Sequence, residues 1–334
     1  MKVDGGIGGF DQAGDMAKLQ EDQGYDGLWS VETGHDPFLP LLVAAQSTER
    51  VELGTGIAVA FARNPMTTAV TANDIQLASK GRHILGLGSP IKPHIEKRFS
   101  MPWSHPAPRM REFILAMRAI WDCWNNGTKL EFRGEYYTHT LMTPFFSPGP
   151  NPYGPPLVFL AAVGEHMTEV AGEVADGLMV HPFSTERYMK EVTIPAIERG
   201  LAKANKKRED FQLSYPAFVV SGTEQEREAA AGMVRGQISF YGSTPAYRPV
   251  LEVHGWGDLQ TELNALSKQG RWEDMSNLIT DDILETFAVV ADVDDVPARL
   301  RERYDGVIDR LSFYFPVTGD AEKRLDVVKA LQAA

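Results

Sequence analysis

Cysteine is almost absent: Cys123 is the only one in 334 residues. That excludes an intrachain disulfide and any metal site built from several thiolates. Long apolar runs are absent as well. No stretch approaches the roughly 20 residues that a membrane-spanning helix needs, so no membrane partner is expected. Positive charge is in deficit, with 33 Lys and Arg against 45 Asp and Glu and a formal net charge of −12. A nucleic-acid partner would reward the opposite balance. The opening residues, MKVDGG, lack the basic region and apolar segment of a secretory signal, so a cytoplasmic location is expected. The eight histidines include no H-E-x-x-H or comparable ligand spacing, and no metal is expected. Nor is there a G-x-S-x-G elbow for a serine hydrolase.

What is present is an ordinary globular composition, 43% hydrophobic and 23% charged. Strand-like and helix-like segments alternate along it. Strands are predicted at 2–7, 27–32, 51–60, 82–88, 156–163, 177–182, 211–220 and 309–316. Helices are predicted over 11–23, 38–49, from Pro65 to Ser79, and over 165–175 and 184–204. Eight strands, nearly all followed by a helix, predict an α/β protein whose parallel sheet closes as a (β/α)8 TIM barrel, a single domain over 1–334.

Two segments depart from the alternation. Between strands four and five, Met110, Phe113, Ile114, Met117, Ile120, Trp121 and Trp124 recur at offsets of three and four. They make one apolar helix face, to be packed on the barrel; the Pro- and Gly-rich stretch 143–156 after it is read as irregular. The second departure, 241–290, lies between strands seven and eight and is helical in parts. On a barrel it is expected as a helical insertion over the C-terminal face, where substrates bind.

The segment GRHILGLGSP, 81–90, raises the question of a dinucleotide site. The third glycine of that fingerprint would fall on Ile91, and Pro90 and Pro93 prevent a prompt helix. A glycine pair ending a buried strand still requires a sharp turn, or close approach of a neighbour or ligand.

Together, GYDGLWSVET, ELGTGIAVAFARNP, GRHILGLGSP, RGEYYTHT and VFLAAVGEHMTEVAGEVADGL resemble the bacterial luciferase-like monooxygenase superfamily, and within it the branch of oxidoreductases dependent on coenzyme F420, a deazaflavin. The similarity covers essentially the whole chain. It implies a barrel with an insertion before the last strand, a deazaflavin or FMN at the C-terminal mouth, and a homodimer. It also implies a non-prolyl cis peptide at the end of strand three, matching Gly56–Ile57, that backs the cofactor ring. Sugar-phosphate dehydrogenases of the family carry an acid and a histidine after strand two and a glutamate after the strand-four glycines. Here Glu32 keeps the acid, but Thr33 and Ile91 stand at the other two places, so that substrate is not expected.

On this basis Glu32, His35 and His181 are the candidate catalytic groups, with Asp4 a further possibility near the end of strand one. A histidine can exchange a proton near neutral pH, yet each could equally be structural. The ring pocket is expected to draw on Thr33, Gly56, Ile57, Gly86, Gly88 and Ser89. The resemblance places the phosphate-bearing tail over Ala161, Ala162, Val163 and Gly164, where a strand-to-helix turn leaves backbone N–H groups open. Lys92, His94, Lys97 and Arg98, with Arg63, are expected to neutralise the tail; a solvated basic loop is the alternative. Tyr241, Tyr247, Trp256 and Trp272 of the insertion are expected as an apolar lid, or else as a satellite core or dimer contact. Three functions stay open: an F420-dependent hydride transfer to a fairly apolar small-molecule substrate, an FMN-dependent monooxygenase, or a barrel that has lost catalysis.

Overall fold

The computed structural model describes residues 1–319 and 321–333. Eight parallel strands form the barrel: β1 (Lys2–Ile7), β2 (Gly27–Ser30), β3 (Glu52–Thr55), β4 (His83–Gly88), β5 (Leu157–Ala162), β6 (Gly177–Val180), β7 (Gln212–Val220) and β8 (Arg310–Phe313). Neighbours pair in chain order, and β8 closes the ring by pairing with both β7 and β1. All eight predicted strands are present; β1 keeps its predicted bounds and the other seven are shorter at one or both ends.

Helices cover the outside, among them α1 (Ala13–Asp22), α2 (Phe38–Ser47), α3 (Pro65–Ala78), α4 (Pro106–Asn126) and α5 (Glu165–Val174). Asn64 caps α3, its side chain accepting from the Thr67 N–H at 3.0 Å, and Pro65 occupies the first turn where its missing N–H costs nothing. On α4 the seven apolar residues named above are all buried, and Gly127, in the left-handed region at φ 68°, ends the helix. The helix predicted over 184–204 is interrupted: a short turn at Glu186–Tyr188 passes through a π-helical segment into α6 (Ile194–Ala204). Pro195 explains the break, since its ring cannot follow a regular turn.

The register locates one irregularity. Gly54 pairs with Ile84, yet Ala58 pairs with Leu87. Four residues on one strand therefore face three on the other, a bulge that re-aims the backbone at the barrel's C-terminal end. The bulge contains Gly56–Ile57, whose peptide bond is cis.

The segment between β7 and β8 is rooted by α7 (Glu224–Gly242), started by a capping box in which Thr223 and Glu226 bond each other's backbone. Short helices follow at Arg248–Glu252, Gly257–Ser267, Trp272–Asn277 and Asp281–Phe287. The segment is helical only in parts. Ala288–Val290 is a strand that pairs with Phe218–Val220 of β7, because β7 outlasts its barrel neighbours and offers a free edge. A separate apolar core, including Phe183, Phe218, Val234, Leu263, Met275 and Phe287, holds the insertion on the barrel.

Candidate active site

The interior of the barrel is polar at its base. Asp4 and Arg310 are both buried, and the guanidinium meets the carboxylate through two bonds, Nε to Oδ2 at 2.8 Å and Nη2 to Oδ1 at 2.7 Å. Trp29 Nε1 donates to the same Oδ2 at 3.0 Å, and Arg310 reaches Glu52 as well. Burial works against the charge on Arg310, but Asp4 and Glu52 together raise its pKa. Asp4, considered as a reactive group, is thus committed to an internal ion pair.

Above this layer opens a cavity of about 800 Å³. Gly56 and Ile57 form one side of it at the bulge, and Ala161, Met179 and Val180 contribute from β5 and β6. Met179 points inward by strand alternation, as every second residue of a barrel strand does, and Val180 reaches the cavity where β6 ends. Among the described residues lining it, the aromatic side chains are Tyr25 before β2, Trp29 of β2, Phe313 and Tyr314 from β8 and beyond, and Tyr241 of α7.

His181 follows β6 and lines the same cavity. Its Nδ1 accepts from the Phe183 N–H at 3.0 Å. That bond assigns the tautomer: a neutral ring accepting at Nδ1 carries its proton on Nε2. Nε2 makes a long contact with the Tyr247 hydroxyl, 3.4 Å, and the ring packs edge-on to Tyr241 at 4.6 Å between centroids. Burial lowers the His181 pKa to about 4. The group is therefore a neutral N–H donor at ordinary pH. Tyr241 and Tyr314 are joined hydroxyl to hydroxyl at 2.8 Å, and burial first, then that bond, raises the Tyr241 pKa.

The other catalytic candidates fare differently. Glu32 lines the cavity with a side chain 8% exposed, but its Oε2 accepts from the Val59 N–H and from Arg63 Nη1, both at 2.7 Å. As bonded it is an acceptor that holds the strand after the bulge. Arg63, expected at the cofactor tail, is consumed by Glu32, by Asp36 at 3.0 Å and by the Val59 carbonyl, and does not line the cavity. His35 is exposed and lies outside the lining, because the loop turns outward to let Asp36 cap the Phe38 N–H.

The strand-four glycines also require correction. Neither Gly86 nor Gly88 faces the cavity. A Cβ on Gly86 would stand 1.9 Å from the Thr55 carbonyl oxygen, and one on Gly88 3.0 Å from Ile57 Cδ1. The pair lets β4 close against the bulged β3, so the Gly-x-Gly serves strand packing. Ser89 turns to its own loop, donating to the Pro90 carbonyl, and is likewise outside. Lys92 is exposed and pairs with Glu96 at 3.6 Å, while Arg98 donates to the Thr33 carbonyl at 2.6 Å. Thr33 itself lines the cavity. The basic segment is a solvated π-helical turn, His94–Arg98, tied by Arg98 to the loop after β2.

At the end of β5 the expected turn is partly as read. Ala161 lines the main cavity, Val163 packs on the insertion's core, and Ala162 lines neither opening. Gly164 caps α5 with no side-chain bond and lines a neighbouring cavity, also about 800 Å³. The first N–H groups of α5 are open to an anion there. An apolar-walled cavity beside the bulge, with uncapped helix donors next to it, fits a planar ring bearing a phosphate tail. Trp256 stacks on His254 and Trp272 is exposed, so neither forms the lid; Tyr241 lines the cavity, and Tyr247 packs on His181 behind it. Sequence reasoning missed Trp29, Met179, Ser214 and Tyr314 in the lining. The inward alternation of their strands was the available signal.

Comparison with known proteins bears on the family and the fold. The Luciferase-like monooxygenase family model matches residues 2–310. An uncharacterised protein of Mycobacterium tuberculosis is 57% identical over 313 residues, spanning 93% of this chain and 92% of the relative. A 5,10-methylenetetrahydromethanopterin reductase of Archaeoglobus fulgidus is 27% identical over 320 residues, spanning 93% and 91%. Among solved structures, the coenzyme F420-dependent tetrahydromethanopterin reductase from Methanopyrus kandleri superposes with a TM-score of 0.78 at 20% identity, over 98% of this chain and 97% of that one. The chain is an (β/α)8 barrel that belongs to the luciferase-like monooxygenase family of oxidoreductases.

Proposed function

We propose that the protein is a coenzyme F420-dependent oxidoreductase acting on a fairly apolar small-molecule substrate. The observation that carries this reading is the juxtaposition of the Gly56–Ile57 bulge and the neutral His181 donor on one cavity, with the open N-terminus of α5 on the neighbouring one. The F420-dependent relative in the solved structures supports the choice of cofactor. When bound, the deazaflavin supplies hydride chemistry at C5.

The chain's own residues do the rest. Gly56, Ile57 and Ala161 offer a flat, side-chain-poor wall for the ring, and the N–H groups after Gly164 bind the phosphate. His181 presents Nε2–H to the substrate atom on which negative charge builds, at no cost of deprotonating a charged imidazole. Tyr241 and Tyr247 orient that ring and, with the insertion behind them, exclude water. Glu32 and Arg63 act as positioning residues by holding the chain after the bulge. A homodimer is part of the proposal: Leu39 and Leu42 of α2, and Val70 and Leu77 of α3, are apolar and exposed.

The test is equilibrium binding of purified apoprotein to F420 and, separately, to FMN at several salt concentrations. Tight, salt-sensitive binding of F420 alone is expected. Preference for FMN would replace this reading with the oxygen-activating one.

A further inference from the structure

The cavity has a second opening. β1 and β8 are paired only from Lys2 to Asp4, opposite Arg310 to Ser312. Beyond that point β8 follows β7 to Phe313 while β1 follows β2 to Ile7, so the barrel wall parts between them. Gly5 and Gly6 border the gap, and Gly6 is exposed although it belongs to a barrel strand. Gly6 has no side chain to close it, while the Gln20 side chain lies over Gly5, its Oε1 1.9 Å from where a Cβ would be and its Nε2 donating to the Gly6 carbonyl at 2.8 Å. The cavity that holds His181 and Ile57 continues past them to Gln20, Tyr25 and Arg324. There it meets an outer groove of about 350 Å³ between α1 and the C-terminal helix (Ala321–Gln332); Gly6, Gln20, Tyr25 and Arg324 line both.

The charges along this path are unequal. Asp4, Glu32 and Arg324 are the charged side chains in the described lining. Asp4 is matched by Arg310 and Glu32 by Arg63. Among the described residues Arg324 makes one hydrogen bond, Nη1 to the Gly319 carbonyl at 2.7 Å, and no carboxylate of theirs pairs with it. In an acidic protein, a guanidinium so placed at the neck of a largely apolar passage selects an anion.

We propose that the gap between β1 and β8 is a lateral subsite for an elongated substrate bearing a carboxylate, its reacting end beside His181 and its carboxylate on Arg324. The apolar middle of such a molecule passes Gly5 and Gly6, and the outer groove keeps the carboxylate in contact with water. The proposal rests on the oxidoreductase reading only for what happens at the His181 end.

Its test needs no cofactor. Calorimetric titration of the full chain with decanoate, and in parallel with 1-decanol, reads the subsite directly. Arg324→Ala is expected to weaken decanoate about fivefold, the upper range for an exposed ion pair, and to leave 1-decanol unchanged. Raising the salt concentration is expected to weaken only decanoate. Gly6→Leu places its Cβ in free space, with the Trp29 carbonyl oxygen 3.8 Å away as nearest neighbour, and is expected to weaken both ligands by narrowing the neck. Decanoate binding indifferent to both variants, or no binding to the unsubstituted protein, overturns the proposal. So does an Arg324→Ala variant that loses affinity for F420 but not for decanoate, since the neck would then belong to the cofactor's acidic tail. Failure of F420 to bind, with decanoate behaving as described, would instead refute the cofactor reading and leave the subsite standing.

Discussion

Replacing Gly86 with alanine separates two explanations of the Gly-x-Gly that ends β4. If the glycine exists for packing, the new methyl group must sit 1.9 Å from the Thr55 carbonyl oxygen and 2.8 Å from Met179 Sδ. Met179 can rotate away. Thr55 cannot, since its carbonyl is backbone of the adjacent strand, so β3 and β4 must separate. Overpacking of this kind costs about 1–3 kcal/mol. The separation also strains the bond from Thr55 Oγ1 to the Gly86 carbonyl, 2.6 Å and buried, worth about 1 kcal/mol. A total loss of about 3 kcal/mol follows, which for a chain of this size lowers Tm by roughly 4 °C. Gly232→Ala is the control, because Gly232 sits in a helix with nothing within 4 Å of the added Cβ; it should gain about 0.5–1 kcal/mol. Thermal and urea unfolding of the cofactor-free proteins measure both. A Gly86→Ala protein that unfolds like the parent but binds F420 poorly would refute the packing explanation and return the glycine to the ligand site.

Arg310→Met should cost about 3–5 kcal/mol, because it strands the Asp4 carboxylate in the barrel base; adding Asp4→Asn should recover part of that loss in urea unfolding. His83 is buried, its Nδ1 bonded to the Leu53 carbonyl, and burial holds its pKa down at about 4. Between pH 6.5 and 4 the unfolded chain takes up a proton that the native state refuses, so stability falls with falling pH. For His83 the loss reaches about 3 kcal/mol, and His83→Gln should remove it from the pH series. His181→Phe should lower turnover about a hundredfold while F420 affinity changes little; unchanged turnover would eliminate His181 as the donor.

Much of the architecture was legible because it is written in short-range order. Apolar runs of four to eight residues separated by helical periodicity bury both faces in a parallel sheet covered by helices, eight such units suit a closed barrel, and the α4 stripe from Met110 to Trp124 was readable from spacing alone. The site was legible only in part. Gly56, Ile57, Thr33, Ala161 and His181 meet at the cavity, as they must if strand ends converge at one mouth. His35, Arg63, Gly86, Gly88, Ser89 and Lys92 do not. Residue type made them candidates, but a side chain's task depends on what it faces across the barrel. Glu32 and Arg63 are 31 positions apart, and their pairing removes both from chemistry at a stroke.

The sequence by itself determined the order of strands and helices, the apolar faces, the interrupted dinucleotide pattern and the family, because these depend on neighbours along the chain. Tertiary structure alone decided which polar groups are already satisfied, which glycines exist for a neighbouring strand, and where the wall between β1 and β8 opens. Each of those is a contact between residues far apart in the chain, and its energy depends on distance and burial, which the order of residues does not carry.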